Sequence, residues 1–325
     1  MSWALACACS FSFASPVSAQ PSIWDSARDP KSRRDYETLV GVERMLSRED
    51  ESMAFDPAFP ERLMRAALAV VELGSGKDSR DARLLFLAGD LLSDPLLGRD
   101  EDAKNVLERA LARDPESPLA GRAWFNLAIG AAKVSDPKRE HHAYSRALES
   151  VWEPGFRANI YANRGESSMV LGDLEAAIRD YRKSIALADR PDLVALSQYG
   201  LGIAYERNGD LPRGLEAMAV ARAIQIPGIG SALDLPSVFF VPPYDIHYYK
   251  ALSAMSAARR DAKPESLAIA LLEAAEEWQK YLEPASADRH RWVPNAKRHQ
   301  RTVLERLKRL TPEIKRRAAA SRQER

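Results

Sequence analysis

The sequence predicts an all-α fold, a row of helix–turn–helix units each stacked on the next. Three observations predict it. The apolar positions of the 325-residue chain are mostly Ala and Leu, and only 8% of residues are aromatic. Ala and Leu have high helix propensity, and Ala lets helices approach closely. Four series of positions recur every 37 residues. Gly-Asp pairs stand where one helix must close and the next must open.

Each series keeps one size class. Ala110, Ala147, Ser184 and Ala221 are small, and Leu107, Tyr144, Tyr181 and Met218 are large. Gly98, Ser135, Gly172 and Gly209 are turn-forming, and Ala128, Gly165 and Gly202 are again small. Glycine takes the left-handed conformation that ends a helix, and Asp173 or Asp210 then accepts from the free amides of the next one. Pro115, Pro154, Pro191 and Pro227 mark the joints between units. Such units bury their faces on their neighbours, so the mature chain is expected to form one continuous stack rather than separable domains.

These positions resemble the tetratricopeptide repeat (TPR) family. The best unit, "RANIYANRGESSMVLGDLEAAIRDYRKSIALADRP", places Tyr161, Gly165, Gly172, Ala177 and Tyr181 at the family's aromatic, glycine, turn, alanine and aromatic positions. "LSQYGLGIAYERNGDLPRGLEAMAVARAI" repeats the pattern through Leu201, Gly202, Tyr205, Gly209 and Ala221. The 37-residue period exceeds the family's usual one, the first unit has extra residues around Asp94–Leu97, and the second has Glu140 where alanine is expected. Four units cover 80–228, and a looser fifth spans 244–284 before a capping helix to 310. The resemblance implies a right-handed superhelical solenoid of antiparallel helix pairs whose first helices line a concave groove.

Carried onto this chain, that groove is lined by Arg122, Phe125, Asn126, Ile129 and Lys133, then by Asn159, Asn163, Glu166 and Met169, then by Leu196, Tyr199, Ile203 and Arg207. Asn126 and Asn163 share one repeat position. A ladder of amides can hold an extended peptide by its backbone, since each amide both donates and accepts. The same asparagines can instead bond to neighbouring helices.

The stretch "DLPSVFFVPPYDIHYY" (234–249) interrupts the helices. Pro242 and Pro243 prevent helix, and Asp245 stands ready near the amide end of the following one. The stretch can serve as an exposed docking strip or fold back over apolar surface; Phe239 and Phe240 are expected to do the latter, packing inward as a plug resting in the groove, because exposing both invites aggregation.

The termini differ from the middle. "MSWALACACSFSFASPVSA" has no charged side chain, and Val17-Ser18-Ala19 has the small residues favoured before signal-peptidase cleavage. Residues 1–19 are therefore read as a signal peptide and 20–79 as a helical segment without the motif. Cys7 and Cys9 are the only cysteines, so the mature chain is expected to have neither disulfides nor thiol chemistry. From Arg289 onward thirteen Lys and Arg face three Glu, a net +10 against −9 for the rest. Residues 311–325 are read as a frayed basic tail.

No motif supports catalysis, and no cofactor or metal is expected. "GSGK" at 74–77 lacks the first glycine of a phosphate loop, and "GESSM" at 165–169 lacks the last glycine and the preceding strand of a nucleophile elbow. The histidines are read as solvated or capping, and Glu276-Glu277 as a solvated helix face. The sequence thus predicts a non-enzymatic, exported, periplasmic scaffold that binds a peptide or domain of a protein partner in its groove to assemble a cell-envelope complex. The alternatives are a peripheral adaptor that holds anionic lipid or lipopolysaccharide through the basic C-terminus, and a regulatory subunit of an enzyme. Nucleic acid is not an expected partner.

Overall fold

In a computed structural model, the described residues are 34, 37–38, 40–41, 62, 65–69, 82–95, 97–258 and 263–323. The expected signal peptide, both cysteines, "GSGK" and most of 20–79 lie outside them. The described residues from 82 onward form α1 (Ala82–Leu92), α2 (Asp100–Arg113), α3 (Ala120–Lys133), α4 (Pro137–Ser150), α5 (Pro154–Leu171) and α6 (Leu174–Leu187). They continue as α7 (Pro191–Arg207), α8 (Leu211–Ala223), a 3-10 turn (Ala232–Asp234), α9 (Asp245–Ala257), α10 (Pro264–Ala287) and α11 (Val293–Gln323). No strand occurs among the described residues.

By its internal packing the chain divides into two compact units. Among the described residues, those up to 134 together with 142–152 form one, and 135–141 together with 153–323 form the other. The division falls in α4, the helix that carries the buried Glu140 where the repeat pattern leads one to expect alanine. In the first unit α1 packs on α2, α2 on α3 and α1 on α3. In the second, the hairpins α5/α6, α7/α8 and α9/α10 follow one another, with α5 also on α7, α7 on α9, and α11 on α10. This is the consecutive pairing of a solenoid of antiparallel helices.

The repeat positions explain the pairing. Leu107, Tyr144, Tyr181 and Met218 are all buried, as are Ala110, Ala147, Ser184 and Ala221. Each large side chain removed from water contributes about 1.5–3 kcal/mol. The small series is small because the next helix lies against it: a Cβ on Gly202 would stand 3.0 Å from the Gly214 carbonyl oxygen. The turn series shares one backbone conformation, with φ of 60° at Gly98, 57° at Ser135, 91° at Gly172 and 89° at Gly209. This is the left-handed cap that glycine adopts most cheaply. The aspartates that follow do cap: Asp173 accepts from the Ala176 amide at 2.9 Å and Asp210 from the Arg213 amide at 3.1 Å.

Two local expectations change. The segment read as a frayed tail continues α11 without a break to Gln323, through Pro312. Its Lys-, Arg- and Ala-rich composition favours helix enough to absorb one missing amide. Three of the five histidines are not merely solvated. His299 is buried with Nε2 2.7 Å from Glu206 Oε1, His290 Nδ1 lies 2.5 Å from the Tyr281 hydroxyl, and His247 Nδ1 lies 2.7 Å from Glu277. Tertiary packing of α11 and α9 brings them to these partners, which no local spacing reveals. Glu276 and Glu277 both pair with Lys280, but only Glu276 lies on a solvated face: Glu277 is 13% exposed and also bonds His247.

Candidate functional site

In the first unit, helix α3 presents one side to solvent. Its buried side carries Phe125 and Ile129, with Phe125 tilted against Tyr144 at 5.8 Å between ring centres. Arg122, Asn126, Gly130 and Lys133 form the half-exposed side, one turn apart along the helix. Asp90 of α1 organises its start: its Oδ1 accepts from Arg122 Nε at 2.8 Å and from Asn126 Nδ2 at 2.7 Å. Lys133 Nζ donates to Asp100 Oδ1 at 2.6 Å at the other end. Among the described residues nothing lies within 4 Å of where a Gly130 Cβ would stand, so none of them covers the middle of the stripe. The stripe thus offers two paired cations, an amide and a bare stretch of backbone between them.

The remaining predicted groove residues lie in the second unit, and the fold buries all of them: Asn159, Asn163, Glu166, Met169, Leu196, Tyr199, Ile203 and Arg207. Asn163 Nδ2 donates to the Asn159 carbonyl at 2.9 Å and to Asn159 Oδ1 at 2.8 Å. The two asparagines of the supposed ladder therefore have different partners, one an aspartate on another helix and one its own helix.

What covers these positions comes from later in the chain. Tyr199 lies 3.4 Å from Ser231 Oγ, and Tyr249 from α9 donates to Glu166 Oε2 at 3.1 Å, beside Tyr181, which donates to the same oxygen at 2.8 Å. Phe240 is buried with its ring 5.3 Å from that of Tyr249, whereas Phe239 is half-buried. From α11 and the turn before it, Trp292 lies under Arg207 at 4.9 Å, and Asn295 and His299 both bond Glu206 Oε1, at 3.0 and 2.7 Å.

The result is a buried polar network across five helices. Arg207 has a fully buried side chain, sits over the Tyr248 ring at 5.1 Å, and lies 4.0 Å from Asp245 Oδ2. At that distance the pair attracts through charge rather than through a hydrogen bond. Burial pushes Glu166 up to about 7 against the pull of Arg207 and the Tyr181 hydrogen bond. Burial likewise pushes Asp245 up to about 6, again opposed by Arg207. Glu206 behaves differently: burial raises it, but hydrogen bonds from His299 and Tyr248 and the His299 and Arg207 charges outweigh that, and its net shift is downward. His290 is pushed down to about 4, first by burial and then by Arg207. Glu166, Glu206, Arg207, Asp245 and His299 are buried, while His290, Trp292 and Asn295 at the margin are half-buried, so the network ties the helices together from within.

Sequence reasoning missed Asp90, Glu206, Asp245, Tyr249 and His299. One signal was present: Glu206 stands 37 residues after Met169, a predicted groove position. Among the described residues no group of three His, Cys, Asp or Glu is placed to hold a metal ion, and no helix is long and apolar enough to cross a membrane.

No protein-family model matches the chain, and no curated protein sequence matches it. Solved structures do. A structure of MamA is 20% identical and covers 51% of this chain and 91% of its own, with a TM-score of 0.43. A second MamA structure is 18% identical and covers 57% and 90%, with a TM-score of 0.44. BtubC (BKLC) from P. vanneervenii is 20% identical and covers 60% and 91%, with a TM-score of 0.45.

Proposed function

We propose that the chain is an exported, non-catalytic scaffold that holds an extended segment of a protein partner along the outer side of α3 and so helps to assemble a cell-envelope complex. One observation carries the reading. Of the positions at groove register, Arg122, Asn126 and Lys133 keep solvent access, next to open backbone at Gly130, while those of the later repeats are covered by the chain itself. A peptide backbone pairs with the amide of Asn126, and acidic side chains on it compete with Asp90 and Asp100 for the two cations. Binding therefore depends on a few short-range polar contacts on a rigid helix.

The test is capture from envelope extracts by the purified protein, with mass spectrometry, set against the Arg122→Ala/Asn126→Ala variant. The expected result is a partner held by the wild type and lost by a variant that melts at nearly the same temperature. Equal capture by both refutes the α3 stripe. N-terminal sequencing of the mature protein is expected to begin at Gln20, and retention of Met1 refutes export.

A further inference from the structure

Among the described side chains, the exposed cations of helix α11 lie on one side, with exposed Glu305 standing among them. At 100° per residue, Lys297, Arg298, Arg301, Lys308, Arg309 and Arg316 fall within an arc of about 120°. All six are exposed, and none forms an ion pair among the described residues. The opposite side, with Ala296, His299 and Val303, is buried. Leu304 lies at the edge of the arc and is 43% exposed.

Helix α10, in the same unit, has a solvent side of opposite character. Glu265, Glu273, Glu276 and Glu283 are exposed there, and between them stand Ile269, 67% exposed, and Leu272, 58% exposed. Single exposed apolar residues are ordinary, but two on one helix face, ringed by carboxylates of which Glu276 is held by Lys280 at 2.9 Å, form an uncovered patch.

The two faces share one spacing. Glu265, Ile269, Leu272 and Glu276 stand at intervals of four, three and four residues, and so do Lys297, Arg301, Leu304 and Lys308. Each series spans about 16 Å along its helix. Laid antiparallel, Glu265 meets Lys308, Ile269 meets Leu304, Leu272 lies along the aliphatic stem of Arg301, and Glu276 meets Lys297. The ends match in charge and the middle in apolar surface.

We propose that the partner of this surface is a second copy of the chain, with α10 of one copy docked on α11 of the other. A two-fold axis makes the contact twice, once in each direction. The surface is separate from α3, so self-association stands or falls independently of the scaffold reading. It makes the scaffold bivalent, with two α3 stripes per particle.

Sedimentation velocity on the full mature chain tests this. The wild type is expected to dimerise at micromolar concentration, and to do so about tenfold more weakly at 0.5 M than at 0.05 M salt, because exposed charges carry part of the contact. Lys297→Glu/Lys308→Glu and Glu265→Lys/Glu276→Lys are each expected to be monomeric, with unchanged helical circular dichroism and melting. Mixed together, the two variants are expected to form a heterodimer, since both contacts are then complementary, one with the native charges and one with both charges reversed. A wild type that stays monomeric at all concentrations overturns the proposal, as does a mixture that fails to associate. Vesicles containing phosphatidylglycerol supply the remaining arm. If a monomeric wild type binds them and Lys297→Glu/Lys308→Glu does not, the basic face belongs to a lipid surface and the second copy is excluded.

Discussion

The Tyr249 hydroxyl donates to Glu166 Oε2 over 3.1 Å, joining α9 to α5 across 83 residues of sequence. Glu166 belongs to the best-matching repeat and Tyr249 to the loosest. Their contact closes what repeat register alone presents as an open groove, and it places a carboxyl group where ionisation is costly.

That cost has a defined pH dependence. Glu166 is raised from 4.5 to about 7 in the folded chain, chiefly by burial. Between those values the folded state binds more protons than the unfolded one. Its contribution is therefore fully present below about 4.5 and is lost as pH rises through about 7. Asp245, raised from 3.8 to about 6, acts in the same direction over a lower window. Glu166→Gln keeps an acceptor for Tyr181 and Tyr249 but has no charge to bury. Thermal melts are expected to show the variant gaining several degrees on the wild type between pH 5 and pH 8. A difference that does not vary with pH would mean that the carboxyl titrates normally.

Arg207 is the cation that makes the burial of Asp245 and Glu166 tolerable. Arg207→Met should cost about 3–5 kcal/mol, because it leaves buried carboxyls without a counter-charge. Replacing the ion pair as a whole, by Arg207→Met with Asp245→Leu, should restore much of that loss, since an apolar pair of similar volume needs no compensation. Urea unfolding of the two variants distinguishes a charge-balanced core from a site where Arg207 acts only through its bulk, in which case the second substitution deepens the loss.

Asn126 and Asn163 occupy one repeat position but should respond differently. Asn163→Ala removes a buried donor and leaves the Asn159 side chain short of a partner, so about 1–3 kcal/mol of stability should be lost. Asn126→Ala breaks a half-exposed bond to Asp90 that Arg122 also makes, and its melting temperature should move little. Partner capture should fall for Asn126→Ala and, per folded molecule, remain intact for Asn163→Ala. The opposite pattern would move the binding surface into the second unit.

The two phenylalanines of the interrupting stretch should separate in the same way. Phe240 packs edge-on against Tyr249 and is buried, so Phe240→Ser should cost on the order of 3 kcal/mol or more. Phe239 is half-buried, and Phe239→Ser should cost less. Differential scanning calorimetry on the purified protein alone checks both. An unchanged melting temperature for Phe240→Ser would mean that the stretch does not brace α9.

Much of the fold was legible from neighbouring residues. The Gly98, Ser135, Gly172 and Gly209 series announced the left-handed caps, Asp173 and Asp210 announced the helix starts, and the small and large series announced which faces meet. The candidate site was legible only in part. Arg122, Asn126 and Lys133 were identified on α3, but Asp90 and Asp100, which orient them, stand 32 to 36 residues earlier, and the repeat spacing does not mark those two aspartates as their partners.

The sequence by itself determined the class of fold, the repeat register and the turns, because helix period, capping and size alternation act between residues a few positions apart. Tertiary structure alone decided which groove positions stay open. Trp292, Asn295 and His299 reach Arg207 and Glu206 over 85 to 93 residues, and Tyr249 reaches Glu166 over 83. Contacts at such separations depend on how helices stack in space, and burial and charge pairing are properties of that packing rather than of any local stretch of chain.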